Sequence, residues 1–327
     1  MLEKFSYVHT WCYQPPTRRI SIRLSLWTWL ITFAKMTQFY LRSINYNMKS
    51  LLHIGLFLFF GLYSLMAQPF FEVQPTNNAP EGFDRLFSKQ VEIFGVSIFA
   101  IAKTPDSKLL HAVGLLAQYL DNDNDGQPDN QLVIQAIHQS KGAVVMSATR
   151  READKIDVHR YIPEKVWDNM TILGLHAEDT HPQGASRGVF DTAYEEILHL
   201  ITSAGYANAY PDIFGEKRGT AIALAMDQAR GGYFRRAPKK YPDQAWYTYN
   251  ERSCDYGCQI TEYIYWGITS ILGAQDFPGR LDNISQEWRL NTAAKVKARD
   301  PTLYQLLTDP KYAFPTKLPD GKYNPQP

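Results

Sequence analysis

The sequence predicts a fold of the α+β class with mixed α/β character: one mostly helical globular domain around a small sheet. Apolar residues recur with helical spacing over residues 107–120 and 259–272, which indicates two helices with extensive buried faces. Residues 91–101, 143–146 and 171–175 are short runs dense in β-branched and other apolar side chains, which favour strands. No internal repeat is visible, so the sequence does not indicate a repeat architecture.

The same helical spacing predicts two further helices in the middle of the chain. Residues 129–139 form the first of them, directly after an acidic loop. Residues 191–203 form the second, with Asp191 or Thr192 as its N-cap and Gly205 just past its end. We therefore expect a helix pair near the N-terminus of the domain and a separate central helix.

The last third of the chain alternates between helices and loops. Residues 220–230 are predicted to form a helix that stops at Gly231. Residues 237–257 lack a clear period and contain prolines, tyrosines and tryptophans, so we expect a long surface loop. Residues 285–297 and 301–307 are predicted helices, and the last twenty residues are expected to wrap the surface.

Residues 48–67 have the pattern of a secretory signal peptide. Lys49 supplies a positive charge, residues 51–65 are mostly apolar, and Ala67 is a small residue at the expected cleavage point. The apolar run is shorter than the roughly 20 residues that a membrane-spanning helix needs. We therefore expect a secreted protein, extracellular or periplasmic, with no stable membrane span after processing.

The signal pattern also divides the chain into segments. Residues 1–47 are expected to be a dispensable or untranslated leader, because a signal peptide acts at the terminus. Residues 68–85, rich in Pro, Asn and Gly, are predicted to be an extended lead-in, and residues 86–327 a single globular domain. Without the first 67 residues the chain holds 27 basic and 32 acidic residues. This acidic excess argues against nucleic acid as a partner, since phosphate binding needs clustered Lys and Arg.

An acidic loop lies between the first two predicted helices. It places oxygen-bearing side chains in alternation around Gly126, which permits a sharp turn; they are Asp121, Asp123, Asp125, Gln127 and Asp129. Calcium requires about six to eight oxygen ligands in one compact loop. The loop resembles an EF-hand and the calcium loops of thrombospondin type 3 repeats, which implies bound calcium with a structural role. Leu132 stands where the EF-hand has its bidentate Glu, so Asn130, water or another part of the chain has to complete the shell.

Two cysteines remain after the predicted processing, because Cys12 lies in the leader. Cys254 and Cys258 are close in sequence and are expected to form one local disulfide in an oxidising compartment. Two free thiols or a thiolate metal site are the alternatives.

The central helix carries three chemically active side chains. Glu195 and His199 are four residues apart and project from one face of the helix, with Glu196 beside them. Ile197 and Leu198 belong to apolar positions distributed all round the helix, so we expect the helix to be buried. Buried carboxylates need a cation or hydrogen bonds, which makes this helix a candidate metal site.

This spacing resembles the H-E-x-x-H helix of zincin metallopeptidases, with Glu195 in place of the first His. The resemblance implies that Glu195 and His199 bind a metal and that Glu196 is the general base. Gluzincins, including the lethal-factor-like subgroup, take a third ligand from a Glu on a later helix, which here implies Glu262. Tyr249 is the expected partner of the developing oxyanion. The resemblance implies zinc or another divalent transition metal and an extracellular peptide as substrate, although a carboxylate in place of the first His favours harder ions.

Other functions fit the same residues. One is a non-catalytic secreted calcium-binding module for extracellular polysaccharide or protein. Another is a carbohydrate-active enzyme in which Glu196 and Glu262 are paired carboxylates. A third grouping joins the Glu196–His199 pair to Glu178 and His181 as a di-iron site. Glu195 and Glu196 are also ordinary acids for the first turn of a helix, and His199 an ordinary core histidine.

Overall fold

The computed structural model describes residues 70–325, and the predicted leader and signal peptide lie outside these residues. One sheet has the strands β1 (Gln74–Pro75), β2 (Lys89–Ile93), β3 (Val96–Ala100), β4 (Ala143–Ser147) and β5 (Ile172–His176). The strands lie in sequence order, antiparallel from β1 to β3 and parallel from β3 to β5. The mixed sheet and the many helices confirm the predicted α+β class.

Seven longer helices surround the sheet in the described part of the chain. They are α1 (Asp106–Leu120), α2 (Gln131–Gln139), α3 (Ala193–Leu200), α4 (Ala221–Arg230), α5 (Tyr256–Ile271), α6 (Ala293–Arg299) and α7 (Pro301–Thr308). Shorter α-helices cover Arg150–Ala153, Glu164–Trp167, Ala207–Ala209 and Arg280–Ile284. Helices α1 and α2 form the crossover between the parallel strands β3 and β4, as a parallel pair requires.

Side chains on the two faces of the sheet enter two separate apolar clusters. Ile98 and Val144 pack with helices α1, α3 and α5 in the main core. Phe99 and Val145, one residue further along each strand, pack on the opposite face with Phe83 in a smaller cluster. Because successive strand residues point to opposite faces, both sides of these parallel strands are covered.

The prediction of one strand over residues 91–101 is wrong, because this segment contains a β-hairpin. Phe94 and Gly95 form its turn, with φ angles of 50° and 75°. A two-residue turn with positive φ at both positions matches the twist of the paired strands. Because Phe94 is apolar like its neighbours, the sequence pattern does not indicate a turn there.

The predicted end of the central helix near Gly205 is also wrong. After α3 the helix continues as a π-helix over Ile201–Tyr206 and ends with Ala207–Ala209. A Cβ at Gly205 would lie 2.7 Å from Val133 and 3.2 Å from Ile137 of α2. Gly205 therefore permits close packing of two helices rather than helix termination.

Two expectations in the last third of the chain are corrected. The predicted helix over residues 285–297 begins only at Ala293, because Trp288 is fully buried and pairs in an isolated β-bridge with Tyr247. The segment 237–257 is not a surface loop throughout, since Trp246, Tyr247 and Tyr249 are buried. Aromatic burial, rather than regular backbone, fixes this segment against the core.

The segment predicted as an extended lead-in packs against the domain where the structure describes it. Its strand β1 pairs with β2, Phe83 is fully buried, and the Phe71 ring stacks on Tyr323 near the other end of the chain. Across residues 70–325, no helix has both the length and the hydrophobicity needed to cross a membrane.

Candidate metal centre

The N-terminal end of α3 is held in place by a buried hydrogen bond between two side chains. Oδ2 of Asp191 lies 2.6 Å from Nε2 of His111 on α1. The other oxygen of Asp191 accepts hydrogen bonds from the backbone N–H groups of His181 and Ala193. Thr192 occupies the N-cap position, but Asp191 provides the side-chain hydrogen bond. These contacts fix both the start and the direction of the helix that carries Glu195 and His199.

Three predicted metal ligands meet at the centre of the domain. Glu195, His199 and Glu262 each offer one ligand atom, and these atoms all lie within 4.8 Å of one another. Nε2 of His199 is 3.6 Å from Oε2 of Glu262, which projects from α5. His199 and Glu262 are buried, whereas Glu195 is partly exposed. The structure thus brings together residues that are 63 to 67 positions apart in the sequence.

The environment of His199 is strongly electronegative. Burial by itself lowers the pKa of the imidazole, but Glu262, Glu196 and Glu195 outweigh burial and raise the pKa to about 9. Nε2 is buried and makes no hydrogen bond to any residue that the structure describes. A ring nitrogen surrounded by carboxylates in this way favours a positive charge, either a proton or a metal ion.

Glu196 lies on the other side of the same imidazole. Its Oε2 is 3.8 Å from Nδ1 of His199, and its side chain is buried. The ring of His199 therefore separates Glu196 from Glu262, which lies at Nε2. This arrangement gives no support to a glycosidase site in which these two carboxylates face each other across a cleft.

Tyr249 reaches the centre from the aromatic segment before α5. Its hydroxyl lies 3.5 Å from Oε1 of Glu262, and Tyr241 donates a hydrogen bond of 2.5 Å to the carbonyl of Tyr249. The side chain of Tyr249 is buried. The structure therefore places the predicted oxyanion partner beside a candidate ligand rather than in a loop remote from it.

Two neighbours of the centre were missed by the sequence analysis. The Tyr265 ring lies 5.6 Å from that of His199, at an edge-to-face angle of 77°. Tyr265 follows Glu262 by three positions on α5, so helical spacing provided a signal for it. His176, at the end of β5, is the second: burial and Arg150 lower the pKa of its imidazole, while Asp179 and Glu196 oppose this shift. The strand predicted over residues 171–175 ends within one residue of this position.

The hydrogen bonds of His176 determine its tautomer. Ser147 donates its hydroxyl to the carbonyl of Thr149, so Oγ of Ser147 accepts from Nδ1 of His176 at 2.6 Å. Nε2 therefore carries the lone pair when the ring is neutral, and this buried atom makes no hydrogen bond within residues 70–325. Burial and the nearby Arg150 lower the pKa of His176, which favours the neutral form.

The second Glu–His pair of the di-iron alternative does not join the centre. Oε1 of Glu178 accepts the backbone N–H of Arg150, and the pKa of His181 is lowered by burial and by Lys108. Neither residue belongs to a group of candidate metal ligands within the described part of the chain. A ferritin-like four-helix site is therefore not formed here.

The donor set of the centre fits a divalent metal ion. Two carboxylates and one imidazole supply three ligands with a net negative charge, and a catalytic zinc site commonly has three protein ligands. The exchange of one imidazole for a carboxylate in Glu195 favours harder ions relative to a site with two histidines. Nε2 of His199, which makes no hydrogen bond among the described residues, is the imidazole atom available to such an ion.

The acidic loop forms a second group of candidate ligands. Asp121, Asp123 and Asp129 each offer a carboxylate oxygen within 4.8 Å of the others. Burial and the neighbouring carboxylates raise the pKa of Asp129. Asp125 lies outside this group, and its Oδ1 accepts the backbone N–H of Gln127 at 2.8 Å. The structure thus collects three of the five predicted loop residues.

Two residues around the loop have other tasks. Oδ1 of Asn130 accepts the backbone N–H groups of Leu132 and Val133 and so caps α2. The side chain of Leu132 is 55% exposed and has no oxygen that could bind calcium. Lys322 and Asn324 of the C-terminal segment border the same depression as Asp123. A complete oxygen shell therefore depends on water or on this segment.

A disulfide lies at the start of α5. The sulfur atoms of Cys254 and Cys258 are bonded, with their Cα atoms 5.3 Å apart, and Asp255 caps the helix by accepting the N–H of Cys258. Nε2 of the buried Gln259 donates to the carbonyl of Cys254. The bridge and the cap fix the first turn of the helix that presents Glu262.

No protein-family model matches the chain, and no curated protein and no solved structure is significantly similar to it. The resemblance to zincins therefore remains a prediction from the spacing of Glu195, Glu196 and His199.

Proposed function

We propose that this protein is an exported metal-dependent hydrolase of the zincin type that acts on peptides and is stabilised by calcium. The observation that carries the proposal is the convergence of Glu195, His199 and Glu262 around a buried imidazole nitrogen without a hydrogen bond. The disulfide and the lack of a membrane-spanning helix among residues 70–325 are compatible with a protein processed after export.

In this proposal Glu195, His199 and Glu262 hold the metal ion. The bound ion would act as a Lewis acid and lower the pKa of water. The zincin pattern implies Glu196 as the general base; its carboxylate lies 3.8 Å from Nδ1 of His199, across the ring from Glu262, so it would have to turn towards the ion to accept a proton there. The Tyr249 hydroxyl, adjacent to Glu262, supplies a donor for the oxygen that becomes negative during hydrolysis.

Calcium in the proposal has a structural role. A bound calcium ion would offset the mutual repulsion of three carboxylates, those of Asp121, Asp123 and Asp129. The loop joins α1 to α2, and α1 carries His111, the partner of Asp191 at the start of α3. A rigid loop therefore supports the helix that bears the metal ligands.

Burial favours one alternative, a non-catalytic binding module for extracellular polysaccharide or protein. The side chains of Glu196, His199, Glu262 and Tyr249 are all less than a tenth exposed. A metal ion held there would contribute to folding free energy without access for a substrate. In this alternative the same three residues bind the metal ion, but the ion does not catalyse hydrolysis.

Metal content and hydrolysis distinguish the two functions. Elemental analysis of the purified protein should show one transition metal in addition to calcium, and a chelator should remove it. Glu196→Gln should keep the metal and lower peptide hydrolysis by about a hundredfold or more, as expected for loss of a general base. Glu164→Gln, at an exposed helix position, is the matched control. Absence of hydrolysis, with calcium alone or with a transition metal bound as well, would favour the binding module.

A further inference from the structure

The side chain of Arg280 is fixed by aromatic rings and a hydrogen bond close to residues that contact the candidate metal centre. Its guanidinium lies 4.1 Å above the Phe190 ring, with the Trp266 and Phe277 rings at 5.8 and 6.0 Å. Nε of Arg280 donates a 2.6 Å hydrogen bond to Oε1 of Gln275, which is fully buried. The orientation of the charged group is thus fixed from both sides, unlike that of an ordinary surface arginine.

The same residues connect Arg280 with the metal ligands. The amide of Gln275 that holds Arg280 also donates to the Tyr265 hydroxyl at 3.3 Å. The Tyr265 ring contacts the His199 ring, and Phe190 lies 6.2 Å from Tyr265. Arg280 and His199 are therefore both in the immediate surroundings of Tyr265, and Phe190 belongs to the segment that enters α3.

Apart from the N–H on Nε, the guanidinium of Arg280 keeps its hydrogen-bond donors available. A guanidinium has five N–H groups, of which the one on Nε is engaged by Gln275. Arg280 forms no ion pair within 4.0 Å in the part of the chain that the structure describes, although Asp276 and Asp282 are near in sequence and exposed. The indole Nε1 of Trp266 is buried and also makes no hydrogen bond among these residues.

We infer that Arg280, together with Trp266, forms a carboxylate-binding subsite that selects acidic peptides for the metal centre. Two terminal nitrogens of a fixed guanidinium match the two oxygens of a carboxylate. The indole ring of Trp266 lies 5.8 Å from the guanidinium, and its buried N–H is a donor without a partner among the described residues. The inference rests on the proposed hydrolase function for its substrate class, while the binding of a carboxylate depends only on Arg280 and its neighbours.

The first experiment measures binding without catalysis. Calorimetric titrations of the purified protein use three probes: acetyl-aspartyl-amide, acetyl-glycine and acetyl-asparaginyl-amide. The first has a side-chain carboxylate, the second a terminal carboxylate, and the third is neutral. We expect at least one acidic probe to bind about tenfold or more tightly than the neutral probe, since hydrogen bonds to charged groups give such differences. The preferred acidic probe identifies the source of the carboxylate.

Arg280→Gln should remove this preference, because the amide keeps much of the side-chain length but lacks the charge. Arg218→Gln is the matched control, since Arg218 lies 4.3 Å above the Tyr233 ring, outside the group around Tyr265. Thermal unfolding checks that each variant is folded. Arg280→Lys is a second variant that keeps the charge without the planar fork, and it should bind the acidic probe several-fold more weakly than the wild type.

The second experiment measures cleavage of a peptide mixture with free or amidated C-termini by the metal-loaded protein. Acidic residues should be enriched near the cut, and Arg280→Gln should lower kcat/KM about tenfold for these peptides with little change for neutral ones. Equal binding of acidic and neutral probes by the wild type overturns the inference, as does an unchanged preference in Arg280→Gln. Carboxylate binding that depends on Arg280 without any cleavage contradicts the hydrolase function and supports the subsite.

Discussion

The Tyr323 hydroxyl donates a hydrogen bond of 2.5 Å to Oδ2 of Asp121, the first residue of the acidic loop. The same carboxylate oxygen accepts the backbone N–H of Gly126. Burial and the hydrogen bond to Asp121 raise the pKa of the Tyr323 phenol, so it remains a donor at neutral pH. The C-terminal segment is thus part of the candidate calcium site.

Replacement of Tyr323 by Phe should destabilise the domain by about 1 to 2 kcal/mol, because Asp121 loses a charge-assisted hydrogen bond. Urea unfolding in chelator measures the change. Tyr304→Phe is a suitable control, since Tyr304 is half-buried and its hydroxyl donates no hydrogen bond among those found in residues 70–325. An equal effect of both substitutions would show that the Tyr323 hydroxyl is unimportant.

Calcium should raise the unfolding temperature. At a hundredfold excess over the dissociation constant, binding stabilises a protein by about 2.7 kcal/mol, which corresponds to roughly 5 to 10 °C for a domain of this size. Asp129→Asn should abolish most of this increase, because Asp129 belongs to the group of three carboxylates. Asp125→Asn should retain most of it, because Asp125 lies outside the group. Scanning calorimetry with calcium and with magnesium checks both variants, and identical responses would exclude the proposed ligand set.

Replacement of Glu195 by His should strengthen zinc binding by about tenfold, or 1.4 kcal/mol. The substitution restores the H-E-x-x-H pattern with two imidazole ligands, which suit zinc better than a carboxylate does. Competition with a chromophoric chelator measures the dissociation constant. Glu164→His, at the exposed start of the short helix Glu164–Trp167, tests for non-specific binding by a new histidine. Weaker zinc binding by the Glu195 variant would argue against the zincin-like arrangement.

The metal-free protein should lose stability as the pH rises from about 6.5 through about 9. The pKa of His199 is raised to about 9 in the folded state, because Glu262, Glu196 and Glu195 outweigh the effect of burial. The unfolded chain has a histidine pKa of about 6.5, so the protonated ring stabilises the fold fully below that pH. The loss across this range is on the order of 3 kcal/mol.

Urea unfolding of chelated protein at several pH values measures this loss, and Glu262→Gln is the control. Removal of the Glu262 charge should lower the pKa of His199 and flatten the pH dependence. The same slope in both proteins would mean that His199 is not protonated in the folded metal-free state.

Local sequence patterns predicted those parts of the fold in which one period dominates. Helix α1 and strand β4 were found because their apolar positions follow a clear spacing or form an uninterrupted run. The turn at Phe94 and Gly95 was missed because an aromatic residue occupies a position with positive φ. Trp288 interrupts a predicted helix because tertiary burial against Tyr247 outweighs helical propensity.

The candidate metal centre was predicted where a motif connects its residues. Glu195 and His199 share a helix, and the zincin resemblance led to Glu262 on a later one. Arg280 was not predicted as a site residue, since only Gln275 connects it with Tyr265 beside His199. Such proximity arises from how separate elements pack, and neither spacing nor residue type encodes it locally.

Contacts of the C-terminal segment also determine when the domain can finish folding. Asp320 and Tyr323 bond to Gln118 and Asp121, each 202 positions earlier in the chain. Closing loops of this length is entropically costly, and folds rich in such distant contacts form slowly. During synthesis, α1 and the acidic loop can therefore form these contacts only after residues 320–323 have been made.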